Sequence, residues 1–214
     1  MVVFLAVRAD ILFLPRICNI LPNKPTTKKR VVEKGDAWWM GRAIREAEKA
    51  AGRGEVPIGA VLVRDGKIIS RGHNLREGNQ DPAAHAELIA IRKAAKKLGN
   101  WRLAGTTLYV TLEPCIMCMG AILLARVEKV VFGCYDPKGG AAGSLYDLSD
   151  DKRLNHRVTL VAGVRQAECA ALLSGFFAAL RAEKKRAKQN SSNSGEVSEW
   201  SMVPDSKSGV RQRT

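Results

Sequence analysis

The sequence predicts an α/β protein whose central sheet is mixed, has about five strands and carries helices on both faces. Short apolar segments of strand length, such as 107–111 and 129–133, alternate along the chain with longer segments of helical periodicity. A strand, a helix and a second strand in succession require a crossover, so at least part of the sheet is parallel. The segment 58–72 is instead predicted to be an antiparallel hairpin, because Asp65-Gly66 tolerates the positive φ angles of a tight turn.

The first predicted helix spans 36–51. Asp36 can cap its free amide groups, and Gly52 suits its C-terminal end. One face carries the apolar residues Trp39, Ala43, Ile44 and Ala47. This spacing predicts that the helix packs against the sheet.

The remaining elements follow from the same patterns. A second helix is predicted over 84–98, where Gly99 ends it, and a third over 115–125. Strands are predicted at 107–111, 129–133 and 158–161, and a long closing helix at 168–188. The closing helix is expected to face inward with Leu172, Leu173, Phe176 and Leu180.

The chain divides by composition into one domain and two extensions. Residues 36–188 carry all the predicted elements, whereas 189–214 are rich in Ser, Asn, Gly and Lys without periodicity and are expected to be disordered. Residues 1–35 begin with an apolar run that Arg8, Asp10 and Pro15 interrupt. That run is too short and too broken to span a membrane, and its charges do not have the order of a signal peptide. Residues 1–35 are expected to be a disordered extension or to result from a start codon placed too early, with an organelle presequence as the alternative.

Composition and charge bound the class of protein. Five cysteines without paired spacing indicate a reducing compartment, with the cytoplasm as the expected location. The formal net charge is +14; residues 1–35 hold seven basic residues against two acidic ones, and 181–188 hold five against one. A basic terminal helix is consistent with phosphate contacts, although a solvated charged surface is the common alternative.

Four side chains in two short motifs form the candidate catalytic centre. His85 and Glu87 are separated by one residue, and Cys115 and Cys118 follow in a Pro-Cys-x-x-Cys sequence. One imidazole and two thiolates can bind a zinc ion, which leaves a tetrahedral ion one open position for water. Glu87 would then be free to transfer protons, so hydrolytic deamination is the expected chemistry.

The spacing of His85 and Glu87 also constrains the local structure. Residues i and i+2 lie about 200° apart around an ideal helix, so the two cannot face one pocket from a helix interior. They can do so if His85 lies at the non-helical cap and Glu87 in the first turn. Asp81-Pro82 just upstream favours that placement.

Spacing alone leaves other interpretations open. Cys115 and Cys118 could form a redox pair, or they could form a structural zinc site together with His85 if His73 or Cys134 supplied a fourth ligand. Cys134, at the end of a predicted strand, is more typical of a buried apolar residue.

Between Asp36 and Lys188 the chain resembles the bacterial tRNA-specific adenosine deaminases of the cytidine and deoxycytidylate deaminase superfamily. The zinc motif H-x-E…P-C-x-x-C is that of the superfamily. Further matching segments are VPIGAV at 56–61, DPAA at 81–84, TLE at 111–113, GGAAGS at 139–144 and NHRV at 155–158. The resemblance implies a three-layer α/β/α sandwich of the cytidine deaminase type, with one zinc ion per subunit.

The resemblance also implies a reaction and a substrate site. A zinc-bound hydroxide would attack C6 of adenine while Glu87 shuttles protons, converting the wobble adenosine of a tRNA anticodon to inosine. Asn74 would contact the base, Val56 would form the pocket wall, the Ala86 backbone would lie beside the exocyclic position, and Asp136 would contact the nucleotide backbone. Members of the family are homodimers.

Two alternatives to a tRNA adenosine deaminase stay open at this point. One is a deaminase of the same fold that acts on free cytosine or guanine or on a nucleoside; the other is a non-catalytic, zinc-stabilised RNA-binding module. Asn74 and the basic helix favour RNA over free bases, and the intact Glu87 disfavours a non-catalytic role.

Overall fold

The fold is given by a computed structural model, which describes residues 34–193. The disorder predicted for the N-terminal extension and for most of the C-terminal tail concerns residues outside this range. Within the range, no helix combines the length and the apolar composition needed to cross a bilayer.

The helices and strands follow the predicted order. They are α1 (Asp36–Ala51), β1 (Gly59–Arg64), β2 (Lys67–His73), α2 (Arg76–Asn79), α3 (Ala86–Leu98), β3 (Thr107–Leu112), α4 (Ile116–Leu124), β4 (Lys129–Cys134), β5 (Thr159–Val161) and α5 (Gln166–Asn193). Two boundaries differ in ways that matter. The helix α3 begins two residues later than predicted, and α5 continues five residues past 188. The short helix α2 was not predicted, because four residues are too few to show a periodicity.

The sheet is mixed and five-stranded, which confirms the predicted fold class. The strand order is β2-β1-β3-β4-β5. Strand β1 pairs antiparallel with both β2 and β3, whereas β3, β4 and β5 are mutually parallel neighbours. The carboxyl ends of β3 and β4 and the start of β1 therefore meet at one edge of the sheet, where loops can bring distant residues together.

Helices cover the sheet on both faces, as the three-layer architecture requires. One core cluster joins the sheet to α3 and α4 through residues such as Ala90 and Ile122. The opposite cluster joins it to α1 and α5 through Met40 and Cys169. Burial of these two apolar faces is the main stabilising contribution to the sandwich.

Gly72 in β2 brings α3 close to the sheet at its first turn. A Cβ atom at position 72 would lie 2.1 Å from the carbonyl oxygen of Ala86, so only glycine fits this contact. Because Ala86 is the first residue of α3, the contact fixes where that helix starts. His85 and Glu87, on either side of Ala86, are thereby positioned relative to the sheet.

Candidate metal centre and active site

His85 and Glu87 lie at the start of α3 in the arrangement that their spacing requires. His85 is the N-cap residue, with an extended backbone (φ −76°, ψ 151°), and Glu87 lies in the first helical turn. Because the backbone of His85 is extended and not helical, the rotation of about 200° that separates residues i and i+2 inside a helix does not apply here, and the two side chains can face the same side. Both side chains line the same cavity.

The cysteine motif repeats this construction at the start of α4. Cys115 is the N-cap residue (φ −74°, ψ 174°), and Cys118 lies in the first turn. The Sγ atoms of Cys115 and Cys118 lie 3.8 Å and 3.6 Å from Nδ1 of His85, and the three ligand atoms lie within 4.8 Å of one another. Zinc–ligand bonds of about 2.3 Å to sulfur and 2.1 Å to nitrogen place tetrahedral ligands roughly 3.6 Å apart. The cluster therefore fits a zinc ion.

The two residues considered as a fourth ligand are engaged elsewhere. Nδ1 of His73 lies 3.4 Å from Oε2 of Glu46, and the thiol of Cys134 donates to the carbonyl oxygen of Thr111 over 3.4 Å. Among residues 34–193, the one group of three or more metal-ligating side chains close enough to bind an ion is His85, Cys115 and Cys118. Three protein ligands leave a tetrahedral ion an open position, as in catalytic sites.

In the absence of a metal ion, the pKa of Cys115 is lowered, whereas the pKa values of Cys118 and His85 are raised. A hydrogen bond from the Cys118 thiol lowers the pKa of Cys115 to about 4, against the opposing effect of burial, and His85 adds to the lowering. The same hydrogen bond and burial raise the pKa of Cys118. Hydrogen bonding to Cys115 raises the pKa of His85. A thiolate beside a basic imidazole is a donor set prepared to exchange its protons for a cation.

Glu87 is buried without a complete set of partners. Its side chain is 4% exposed, and its Oε2 has no hydrogen-bond partner among residues 34–193. Burial raises the pKa of this carboxyl group, although its backbone hydrogen bond and His85 oppose the effect. An unsatisfied buried carboxylate oxygen is costly in a stable fold, so its presence at a cavity wall is typical of a group that acts on a ligand.

The cluster opens into a cavity of about 280 Å³ at the sheet edge. Three of the predicted substrate-contact residues, Val56, Asn74 and Asp136, line this cavity together with His85, Glu87 and Cys115. Ala86 is fully buried and does not contribute its side chain to the lining. Its predicted role, through the backbone, stays a prediction, as do the roles of the other three.

Sequence reasoning missed five lining residues, which are Ile58, Arg76, Leu112, Glu113 and Phe177. Phe177 is the aromatic residue of the lining and is 41% exposed. The helical pattern points to its neighbour Phe176 instead, because that residue continues the apolar stripe of α5. The one signal in the sequence was a second large aromatic residue directly after Phe176; the exposure that marks Phe177 as a candidate contact is known only from the structure.

Glu113 joins the segment that leads into the candidate metal ligand Cys115 to the loop that carries Asp136. Its Oε2 accepts hydrogen bonds from the backbone N–H of Asp136 (3.0 Å) and from the hydroxyl of Ser144. Its Oε1 accepts from the N–H groups of Ala142 (2.9 Å) and Ser144 (3.0 Å). Burial would raise the pKa of Glu113, but these hydrogen bonds lower it below the ordinary range. The ionised carboxylate thus holds the loop 136–144 against the segment that leads into Cys115.

Comparison with known proteins gives concordant matches. A family profile described as MafB19-like deaminase matches residues 35–181. A tRNA-specific adenosine deaminase of Bacillus subtilis (strain 168) is 57% identical over 155 residues, which are 72% of this chain and 96% of that protein. One from Haemophilus influenzae is 48% identical over 157 residues, 73% of this chain and 91% of that protein.

Solved structures agree with these matches. A structure from studies of A-to-I editing by tRNA:A34 deaminases is 44% identical, covers 63% of this chain and 98% of its own, and superposes with a TM-score of 0.61. A guanine deaminase from Nitrosomonas europaea is 23% identical, with a TM-score of 0.57 over 67% of this chain and 85% of its own. The second likeness shows the shared fold.

Proposed function

The chain belongs to the family of tRNA-specific adenosine deaminases, and from this premise we propose that it converts the wobble adenosine of a tRNA anticodon to inosine. Water replaces the exocyclic amino group of the base, which leaves as ammonia. The observation that carries the proposal is that His85, Cys115 and Cys118 meet at one cavity with Glu87, whose Oε2 has no partner among the described residues. This is the set of groups that hydrolytic deamination needs.

The metal in this proposal is one zinc ion per subunit, held by Nδ1 of His85 and the sulfur atoms of Cys115 and Cys118. When bound, zinc acts as a Lewis acid that lowers the pKa of a water molecule. The N-termini of α3 and α4 both point at the cluster, and their positive ends favour the two thiolates. The fit of the three ligand atoms to a tetrahedral site supports zinc.

Glu87 transfers the protons of the reaction. Its raised pKa, caused first by burial, lets the carboxyl group hold a proton nearer to neutral pH than an exposed glutamate can. The group accepts the two protons of the attacking water in turn and delivers one to N1 of adenine and the other to the departing nitrogen. Its Oε2 supports this role, because no hydrogen bond from the described part of the chain competes for it.

An RNA substrate is supported by the surface beside the cavity. Phe177 lines the cavity, and Arg181 and Lys184 follow it at the i+4 and i+7 positions of α5, on the same face. An exposed aromatic ring can stack on an unpaired base, and a row of cations can contact the phosphates that follow. A free base has no phosphate group that such a row of cations could contact. The base of an anticodon loop is already unpaired, so it enters the cavity at low cost.

A homodimer is part of the proposal. Ile116, Met117 and Leu124 of α4 are 51%, 39% and 69% exposed, on the helix that carries Cys118. Exposed apolar side chains grouped on one helix are typical of a protein–protein interface. A second copy of the chain is the partner that the family relationship favours, and measurement of the mass in solution would test it.

The cytoplasm is the location that we propose for this activity, because the substrate is a tRNA and the scattered cysteines indicate a reducing compartment. Cell fractionation followed by immunoblotting would test it. Detection of the protein outside the cytoplasmic fraction would contradict the proposal.

The deciding experiment compares substrates. Purified protein is incubated with an anticodon stem-loop that carries adenosine at the wobble position, and separately with free adenine, guanine and cytosine. We expect inosine in the RNA and no ammonia from the free bases. Ammonia released from free bases alone would instead establish the alternative, a base deaminase of the same fold.

A Glu87→Gln variant tests the proton-transfer role and excludes a non-catalytic module. Turnover should fall by about 10²- to 10⁴-fold, because the amide cannot transfer protons. The zinc content should stay that of the unaltered protein, since Glu87 is not one of the ligands. Undiminished activity in this variant would remove Glu87 from the mechanism.

A further inference from the structure

Glu55 is a buried carboxylate that belongs to no motif singled out from the sequence. It lies in the loop between α1 and β1, directly before the cavity residue Val56, and is 2% exposed. Its Oε2 accepts hydrogen bonds from Nδ2 of Asn74 (3.1 Å) and from the N–H of Glu77 (3.2 Å). Its Oε1 accepts one from the N–H of Gly78 (2.6 Å). Three donors satisfy the buried carboxylate.

The hydrogen bond to Asn74 determines which way round the Asn74 amide lies. An amide has a donor end and an acceptor end of nearly the same shape, whereas a carboxylate can only accept. The reversed amide would set Oδ1 of Asn74 against Oε2 of Glu55, two acceptors in a buried site, which is strongly unfavourable. Nδ2 of Asn74 therefore faces Glu55, and Oδ1 is turned away from it.

The backbone of Asn74 is fixed independently. Its N–H donates to the carbonyl oxygen of Ile58 over 3.0 Å, directly before β1, and the next residue donates to Ala84. With the backbone held, the orientation of the side-chain amide is the remaining freedom of Asn74, and the hydrogen bond to Glu55 fixes that orientation. The same carboxylate also holds the first turn of α2, where Arg76 lines the cavity.

We propose that Glu55 is a positioning residue that acts through Asn74. It fixes the orientation of the Asn74 side-chain amide, and so determines where the substrate meets the acceptor Oδ1 and where it meets the remaining N–H of Nδ2. The proposal rests on the proposed function, because it assumes that Asn74 contacts the substrate. A nucleotide whose donors and acceptors match this arrangement binds in the reactive position. A nucleotide whose donor and acceptor positions are exchanged would leave buried polar groups unpaired, so the site rejects it.

A double-mutant cycle tests the coupling between the two residues. The variants are Glu55→Gln, Asn74→Ala and the double variant, with kcat/KM measured on the adenosine stem-loop. In Glu55→Gln the side chain can pair with either orientation of Asn74, so kcat/KM should fall by about 10- to 100-fold. In the Asn74→Ala background the same substitution should cost less than about threefold, since nothing is left to orient.

Losses that multiply in the double variant would overturn the proposal, because Glu55 would then act independently of Asn74. Undiminished kcat/KM in Glu55→Gln would overturn it as well. Single-turnover measurements with excess enzyme keep slow variants measurable. If Glu55 had a purely structural role, Glu55→Gln would lower kcat/KM by the same factor in the unaltered protein and in Asn74→Ala.

Two controls separate positioning from misfolding. Glu46→Gln alters another buried glutamate, 4% exposed, which contacts Lys49, Arg71 and His73 and does not line the cavity. It should leave kcat/KM within about threefold of the unaltered protein. Zinc content and thermal unfolding of each variant establish that the centre is assembled. The cycle can be run on whichever substrate is deaminated, so failure of the tRNA assignment and failure of the Glu55–Asn74 coupling are distinguishable.

Discussion

Gly140 lies directly against the carboxyl group of Glu113. A Cβ atom at position 140 would lie 2.4 Å from Cδ of Glu113, far inside van der Waals contact. Gly140 also forms an isolated β-bridge with Cys115, and the N–H of Ala141 donates to the carbonyl oxygen of Pro114 over 2.8 Å. The metal-ligand segment and the loop that begins at Asp136 therefore pack as one unit, with the side chain of Glu113 inside it.

Gly140→Ala should destabilise this unit. The added methyl group displaces the carboxylate from the N–H groups of Ala142 and Ser144, so we expect the free energy of unfolding to fall by about 1–3 kcal/mol. Chemical denaturation of the zinc-loaded protein measures the change. The matched control is Gly175→Ala on an exposed face of α5, where a Cβ meets nothing within 4 Å. That substitution should stabilise the helix slightly, and equal losses in the two variants would contradict the packing argument.

The elements of this fold could be predicted from sequence because they depend on local patterns. The hairpin turned by Asp65-Gly66, the strands at 107–111 and 129–133, and the helix over 36–51 all show the periodicity of their secondary structure. The i, i+2 spacing of His85 and Glu87 also predicted that His85 lies at a helix cap, although the predicted boundary of 84–98 began two residues too early.

The residues that support the site could not be predicted in this way. Glu55 and Glu113 lie in loops, and their partners Gly78 and Ser144 are 23 and 31 positions away in the chain. A carboxylate that satisfies N–H groups so distant in sequence leaves no periodic pattern; its role exists only once the sheet has formed. Phe177 was missed for a related reason, because helical spacing does not reveal which neighbouring side chain reaches a cavity on another element.

Asp36 should make the stability of the protein depend on acid pH. Its carboxylate accepts hydrogen bonds from Tyr109 Oη (2.8 Å) and Lys129 Nζ (2.9 Å), which tie the start of α1 to β3 and β4. Burial would raise the pKa of Asp36, but these two partners lower it below its ordinary value. A lowered pKa in the folded state stabilises the protein above the unfolded-state pKa. That contribution disappears as the pH falls through the folded-state value.

Asp36→Asn should therefore lower the free energy of unfolding at neutral pH by about 1 kcal/mol, a modest value because the site is partly solvated. The difference from the unaltered protein should stay constant from neutral pH down to about 4 and shrink as the pH is lowered further, which denaturation at several pH values measures. The control is Asp65→Asn in the hairpin turn, where the side chain is 88% exposed and substitution should change the free energy of unfolding by less than about 0.5 kcal/mol. A deficit that persists at low pH would show that Asp36 does not act through its charge.

Metal removal should weaken the fold as well as the activity. The two ligand segments begin separate helices, and a bound ion joins them only in the folded chain, so chelation should lower the thermal unfolding temperature. Zinc content should fall from about one ion per chain to near zero in Cys118→Ser. Cys134→Ser is the control, because this buried thiol donates to Thr111 outside the cluster and its loss should leave the zinc content unchanged. Full zinc content in Cys118→Ser would contradict the assignment of the ligands.

The basic face of α5 should account for part of the salt dependence of RNA binding. Arg181→Glu/Lys184→Glu reverses two cations that follow Phe177 along the helix, and we expect weaker binding of the anticodon stem-loop and a smaller dependence of log Kd on log salt concentration. Each phosphate that the variant no longer neutralises should reduce that slope by about 0.7–0.9. Titrations of labelled RNA at several salt concentrations measure both quantities.

The control for this experiment carries the same change in charge at the opposite end of the sheet. Arg64 and Lys67 flank the β1–β2 turn, and Arg64 lies about 20 Å along the strand from the cavity residue Ile58. Arg64→Glu/Lys67→Glu alters the net charge equally but not the charge beside the site. If the two double variants lose affinity and slope to the same extent, RNA responds only to the net charge of the protein, and α5 makes no specific contact. A loss confined to the α5 variant places the phosphates of the substrate along this helix, next to the ring of Phe177.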